Sequence, residues 1–348
     1  MQKISRTALL LLISCCLFFP VSCVNKPSAP KKRTVRQMHK LVIKQADSIA
    51  KKDLPTLDTA QYDSLLGYLA NGDSLHWPVK NQPYPLPGAI LPFKRIVAFY
   101  GNTLSKKMGI LGELPKPEMA AKLDSEATKW ALADPKLPVQ KAMHLIVIVA
   151  QANPGADSLY KLRHPDRVID SLILLARKHN SIVFLDLQVG LSTLEKELPS
   201  FETYLKMPDV HLGIDAEFSM KTGDRPGTRV GTFDAADINY ASGYLAKLVQ
   251  DENVPPKVLI VHRYTQKMIT NSKSITLRPE VQVVMDMDGW GGIDVKRGTY
   301  KRWIYPEPVQ FTGFKLFYKN DKRKPGTRMM TREEVLQLKP APSYIQYQ

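Results

Sequence analysis

From Lys94 onward, short apolar runs alternate with segments whose apolar residues recur at helical spacing. The runs occupy residues 95–100, 144–150, 182–187, 210–214, 258–261, 281–285 and 313–317. Between them the periodicity predicts helices over 117–133, 165–179, 193–206, 235–250 and 265–273, and a shorter one near 295–303. Runs that are apolar throughout are what a strand needs when both of its faces are buried. Their regular exchange with helices is the pattern of a parallel sheet clad in helices. Seven strands read this way, and an eighth is expected at 229–233 or within the N-terminal residues. An open Rossmann-type sheet would need a glycine-rich turn after the first strand, but Tyr100-Gly101-Asn102-Thr103 leads into nothing like G-x-G-x-x-G. The predicted fold is therefore α/β, a TIM-like (β/α) barrel over residues 93–348, preceded by a tether and an extension.

The N-terminal residues follow another pattern. Lys3 and Arg6 precede an apolar stretch over 8–19, and Val21-Ser22 stand before Cys23. A charged start, an apolar stretch of about a dozen residues and a small residue before a cleavage point describe a removable export signal over 1–22. That stretch is too short to span a bilayer, which takes roughly 20 residues. The segment resembles bacterial lipoprotein signals, in which the cysteine after the cleavage point is acylated; it departs from them in having Pro20 where leucine is usual. The resemblance implies lipidation of Cys23 and a protein held at the bacterial cell envelope, outside the cytoplasm. Residues 23–45 read as a basic tether carrying Lys26, Lys31, Lys32, Arg33, Arg36 and Lys40. Residues 46–92 read as an irregular extension with one helix near 60–70, ended by Pro83, Pro85, Pro87 and Pro92.

Composition narrows the chemistry. All three cysteines, Cys15, Cys16 and Cys23, lie in or at the end of the signal, so the mature domain has no thiol chemistry and no disulfide. A chain of this size can bury enough surface to fold without crosslinks. The net charge of +16 favours anionic surroundings such as phospholipid headgroups. No nucleic-acid motif accompanies it, and no nucleic-acid partner is expected. Nucleophile-elbow and P-loop signatures are absent.

Each apolar run turns polar at its downstream end, with residues two apart that share a direction. The pairs are Tyr100 and Asn102, Gln151 and Asn153, Asp186 and Gln188, Asp215 and Glu217, His262 and Tyr264, and Asp286 and Asp288. In a barrel they would converge on the face where barrel enzymes place their active sites. Ala98, Val149, Phe184, Gly213, Ile260 and Val284, in the same phase upstream, would fill the interior. Trp290 offers a flat face for a sugar ring. Residues 218–233 form a connection long enough to cover the site, with Arg225 or Arg229 facing substrate.

Asp215 and Glu217 suggest a reaction. Glycoside hydrolysis needs one carboxyl group that keeps its proton near neutral pH, and a second anionic group beside it raises that pKa. Gly213-Ile214-Asp215-Ala216-Glu217-Phe218 resembles the fourth-strand motif of family-18 chitinases, which ends in Asp-x-Glu; further aspartates of that motif are replaced here by Val210 and Gly213. The resemblance implies Glu217 as the acid and Asp215 orienting an acetamido group. More broadly, Leu-Asp-Leu-Gln, Gly-Ile-Asp-Ala-Glu and Gly-Phe-Lys-Leu-Phe-Tyr segments make the chain similar to a group of secreted bacterial barrel proteins.

The expected function is thus a cell-surface glycoside hydrolase acting on a glycan, with Glu217, Asp215 and Asp286 catalytic. Tyr100, Asn102, Gln151, Asp186, Gln188, His262, Asp288 and Trp290 are the expected substrate-binding residues, and no cofactor is expected. A non-catalytic carbohydrate-binding lipoprotein shares all of these features. A metal-dependent deacetylase or phosphodiester hydrolase would require three or more of Asp186, His211, His262, Asp286 and Asp288 to converge. The histidines show no H-x-H or H-E-x-x-H spacing, so no metal ligand set is assigned.

Cys23→Ser is expected to abolish metabolic lipid labelling and release the protein from membranes. Basic residues alone do not hold it at high salt, where their attraction is screened. Unchanged labelling would place the anchor elsewhere.

Overall fold

The computed structural model describes residues 34–50, 54 and 56–348. The export signal and Cys23 lie outside these residues. Eight strands are hydrogen-bonded edge to edge in parallel: β1 Arg95–Gly101, β2 Val139–Ala150, β3 Ser181–Leu187, β4 Val210–Asp215, β5 Lys257–Arg263, β6 Val281–Met287, β7 Phe311–Leu316 and β8 Tyr344–Tyr347. The sheet closes because β1 pairs on one side with β2, Arg95 opposite Val139, and on the other with β8, Ile96 opposite Tyr344. The fold is a TIM-like α/β barrel.

Burial explains the continuous apolar runs. Ile96, Ala98, Ile182, Phe184, Ile260 and Val284 point inward and pack on one another in the lower half of the barrel. The intervening Val97, Phe99, Val183, Leu185, Leu259 and Val283 point outward against the helices. Helix α3, Lys116–Ala133, buries Met119, Leu123 and Trp130; α4, Asp166–Lys178, buries Val168, Ile169, Leu172, Ile173 and Ala176. Helix α5, Ala235–Glu252, starts on a capping box in which Asp234 and Asp237 satisfy each other's backbone amides. No helix among the described residues is long and apolar enough to cross a membrane.

Several expectations are corrected. The eighth strand is neither at 229–233 nor in the N-terminal residues. It is the C-terminal Tyr-Ile-Gln-Tyr, too short and too mixed in polarity to read as an apolar run. Phe233–Asp234 instead pairs with Ile269–Thr270 in a two-stranded sheet outside the barrel. That pairing replaces the helix expected over 265–273, where only single turns at Gln266–Met268 and Ser272–Ser274 form and Asn271 takes a left-handed φ of 55°. The helix expected over 193–206 breaks into Leu194–Glu197, Leu198–Phe201 and Glu202–Leu205, since Pro199 cannot donate the amide a continuous helix needs.

The tether does not extend to residue 45. Val35–Ala50 is a helix, α1 (preceding α3 and α4 in the chain), and it buries Val42 and Ala46. It lies on α4, where His39 Nδ1 is 3.0 Å from Asp170 and Arg177 donates to the Val42 carbonyl. The extension is also more ordered than expected. Helix α2, Thr59–Ala70, is capped by Asp58, which accepts from the Gln61 amide. Its Tyr62 and Leu66, with Leu91, join the inner cluster of Ile96 and Phe311 and close the barrel at the strands' N-terminal ends. Gln282 of β6 ties this plug down by accepting from the Ile90 and Leu91 amides, each at 3.0 Å.

Because β8 bonds to both β1 and β7, removing it would open the ring and expose two strand edges. Deletion of residues 344–348 is therefore expected to abolish the cooperative thermal transition followed by near-UV circular dichroism. Melting at the wild-type temperature would show that stability does not depend on closure.

Candidate active site

The strands' C-terminal ends surround a cavity of about 510 Å³. Tyr100 lines it from β1, Gln188 from just beyond β3, Asp215 and Glu217 from the end of β4, Tyr264 and Asp288 from just beyond β5 and β6, and Lys315 from β7. Each sits in the inward phase of its strand, so barrel closure itself brings them together.

The side chains hold one another in place. Tyr100 donates its hydroxyl to Asp186 at 2.8 Å. Gln188 donates to Asp215 at 3.1 Å, while the other Asp215 oxygen accepts from the Glu217 amide at 3.0 Å. Asp215 is thereby fixed beside Glu217, on the single turn Ala216–Phe218. Lys315 lies 2.8 Å from Asp288, with its ammonium 3.8 Å above the centre of the Tyr100 ring.

Burial sets the protonation states against one another. Burial raises Asp215 to about 8, helped by Glu217 and opposed by His262. Burial and the Asp288 charge raise Glu217 above its usual 4.5, against the opposing effects of Tyr264, Lys315 and His262. Burial also works on Asp288, but Lys315 and His262 outweigh it and hold that carboxyl below its ordinary value. The cavity thus combines a carboxyl pair that retains a proton with a carboxylate that does not. A pair of acids pushed apart in this way is the arrangement that lets one fold supply both an acid and an anion.

A second layer of polar groups lies under this floor. His144, Asp186, His262 and Asp286 are fully buried and do not line the cavity. His262 Nδ1 lies 3.3 Å from both Asp286 and Asp288, and its Nε2 lies 3.4 Å from Asp186. Burial would lower His262, but the surrounding carboxylates raise it well above the ordinary imidazole range; burial carries His144 down to about 4.

Among the residues expected at the site, Tyr100, Gln188, Asp215, Glu217, Asp288 and Trp290 meet at the cavity. Asp186, His262 and Asp286 sit one layer deeper, so the second carboxylate facing the cavity is Asp288 and not Asp286. Phase explains this: Asp286 and Asp288 point the same way, and only the one nearer the strand end reaches the mouth. Asn102 binds its own loop, accepting from the Leu104 amide at 2.9 Å. Gln151 is absent from the lining because β2 carries a bulge between Ile146 and Ile148 and the chain then turns into an antiparallel strand, Lys161–Arg163. Arg225 and Arg229 do not reach the cavity either, and Arg229 pairs with Asp224 at 3.0 Å inside its own loop. His211 lies lower in the barrel, accepting from the Val258 amide at 3.1 Å.

Tyr264, expected at the strand-end face with His262, lines the cavity, whereas nothing in the sequence pattern points to Lys315 or His144. His144 lies in the middle of β2, whose early residues Gln140 and Lys141 are polar, so the apolar run reads as starting only at His144. Glycines in strand interiors were the available signal, since they mark close approach by a neighbour. A Cβ on Gly213 would fall 2.4 Å from His144 Nε2, and one on Gly313 would fall 2.5 Å from Asp286.

Lys315→Met leaves Asp288 buried without its cation and is expected to cost about 3–5 kcal/mol of stability in urea unfolding. Adding Asp288→Asn should recover most of that loss. Equal destabilisation in single and double variants would mean that the pair is not coupled.

No protein-family model matches this chain, and no curated protein does. Among solved structures, it is similar to a candidate alpha-L-fucosidase from Bacteroides thetaiotaomicron VPI-5482, at 11% identity and a TM-score of 0.34, over 67% of this chain and 79% of that one. It is similar also to a ruminal GH26 endo-beta-1,4-mannanase, at 11% identity and a TM-score of 0.32, over 74% of this chain and 59% of that one.

Proposed function

We propose that this protein is a glycoside hydrolase that works at the bacterial cell envelope, anchored through Cys23, with Glu217 as its general acid. The observation that carries this reading is the placement of Glu217 and Asp215 side by side at the cavity, with the Asp288–Lys315 pair lining the same space.

Cleavage of a glycosidic bond requires a proton for the departing oxygen and negative charge near the developing oxocarbenium ion. The Asp215–Glu217 pair supplies the proton. Asp215 has both oxygens engaged, by Gln188 and by the Glu217 amide, and is almost wholly buried. Glu217 is the member whose carboxyl reaches the cavity and can pass the proton on. Asp288, with Lys315 beside it, supplies the anion. Trp290 is 45% exposed at the rim and offers an aromatic face to a sugar ring. Asp215 is also the group that would orient an acetamido substituent, which makes an N-acetyl sugar the first substrate class to test.

A hydrolysis screen of the protein against bacterial and host glycans tests the reading, and cleavage of none of them would remove it. On any substrate cleaved, Glu217→Gln is expected to preserve folding and binding while lowering turnover by roughly 10²–10⁴-fold. The alkaline limb of the kcat/KM profile reports the acid in the free enzyme. It should lie above pH 4.5, because burial and Asp288 favour the protonated form of Glu217 over the opposing Tyr264, Lys315 and His262. Full activity in Glu217→Gln would overturn the assignment.

A further inference from the structure

Beneath the cavity floor, His144 Nε2, Asp186 Oδ1 and His262 Nε2 face one another, and none of the three atoms has a hydrogen-bond partner. Their side chains are fully buried. The Asp186 oxygen lies 3.5 Å from His144 Nε2 and 3.4 Å from His262 Nε2, and all three atoms fall within 4.8 Å of one another. These separations are long for N–H···O bonds, which centre near 2.9 Å. They match another arrangement: nitrogen and oxygen ligands at about 2.0–2.1 Å from one tetrahedral ion stand about 3.4 Å apart.

We propose that His144, Asp186 and His262 bind a divalent transition-metal ion of the zinc type under the floor of the cavity. The outer faces of the same side chains support it. His144 Nδ1 lies 2.7 Å from the Tyr344 hydroxyl, which turns Nε2 toward Asp186. His262 Nδ1 faces the carboxylates of Asp286 and Asp288, the environment that orients a ligating imidazole. The second Asp186 oxygen is occupied by Tyr100, leaving Oδ1 for the ion. Gly213, on the strand between β3 and β5, has no Cβ to occupy the space where His144 and Asp186 meet.

Charge points the same way. Asp186 and Asp288 are buried carboxylates at this point, and Lys315 stands against Asp288. Since none of the three ligands lines the cavity, the ion braces Tyr100 through Asp186 and does not meet substrate. The inference is therefore independent of the glycosidase reading, and its tests need no substrate.

The full-length protein would be stripped with a chelator, dialysed against Zn²⁺ and its metal content measured by plasma mass spectrometry. The expected result is one ion per chain, falling below a tenth of that in Asp186→Asn and in His262→Gln, with a zinc-dependent rise in Tm in the wild type alone. Folded wild-type protein that retains no Zn²⁺ would overturn the proposal, as would folded variants that retain the wild-type amount. Where a variant does not fold, X-ray absorption of the wild-type zinc protein decides: a shell with two imidazoles supports the site, and a shell without imidazole overturns it.

Discussion

Closing eight parallel strands into a ring sends every second side chain of each strand into one enclosed space, and the rest of the molecule follows from how that space is filled. Its lower half is apolar, with Phe184, Ile260 and Val284 packed on one another. Its upper half holds Asp186, Asp215, Asp286, Asp288, His144, His262 and Lys315, all buried. Charges withdrawn from water are tolerated only when they compensate one another at short range. Lys315 therefore stands against Asp288, and Tyr100 and Gln188 spend their hydrogen bonds on Asp186 and Asp215.

The two ends of the chain serve this interior. Tyr62, Leu66 and Leu91 seal the strands' N-terminal ends, so that the lower layer stays dry. The final strand completes the ring and also carries Tyr344, whose ring borders Phe184 while its hydroxyl meets His144. Structural closure and the orientation of a polar side chain thus rest on the same residue, and a change at Tyr344 acts on both.

The cavity draws its character from the layer below it. Asp288 faces the cavity on one side and His262 on the other, and Tyr100 joins the cavity wall to Asp186. Asp215 and Glu217 keep a proton because they are buried among other acids, whereas Asp288 loses its proton because Lys315 is close. Residues with the same functional group are driven to different states by their neighbours across the barrel, which is what a site performing acid chemistry near neutral pH requires.

How much of this was legible in the sequence depended on whether a feature was local. The unbroken apolar runs at β1, β3, β4, β5 and β6 announced strands buried on both faces, and their alternation with helices announced the barrel, because those patterns are set by burial along a single segment. The polar pairs at the strand ends placed Tyr100, Gln188, Asp215, Glu217 and Asp288 at the mouth for the same reason. Features made by pairing between distant segments were not legible. Tyr344–Tyr347 becomes a strand only because β1 and β7 are waiting on either side, and 265–273 loses its expected helix to pairing with Phe233–Asp234. Depth was equally hidden: Asp286 and Asp288 share a phase, and only the height of neighbouring strands decides which one meets the cavity. The sequence by itself determined which residues turn inward, since alternation along a strand is a property of the backbone. The tertiary structure alone decided which of those inward residues touch, because their partners lie on strands far apart in the chain.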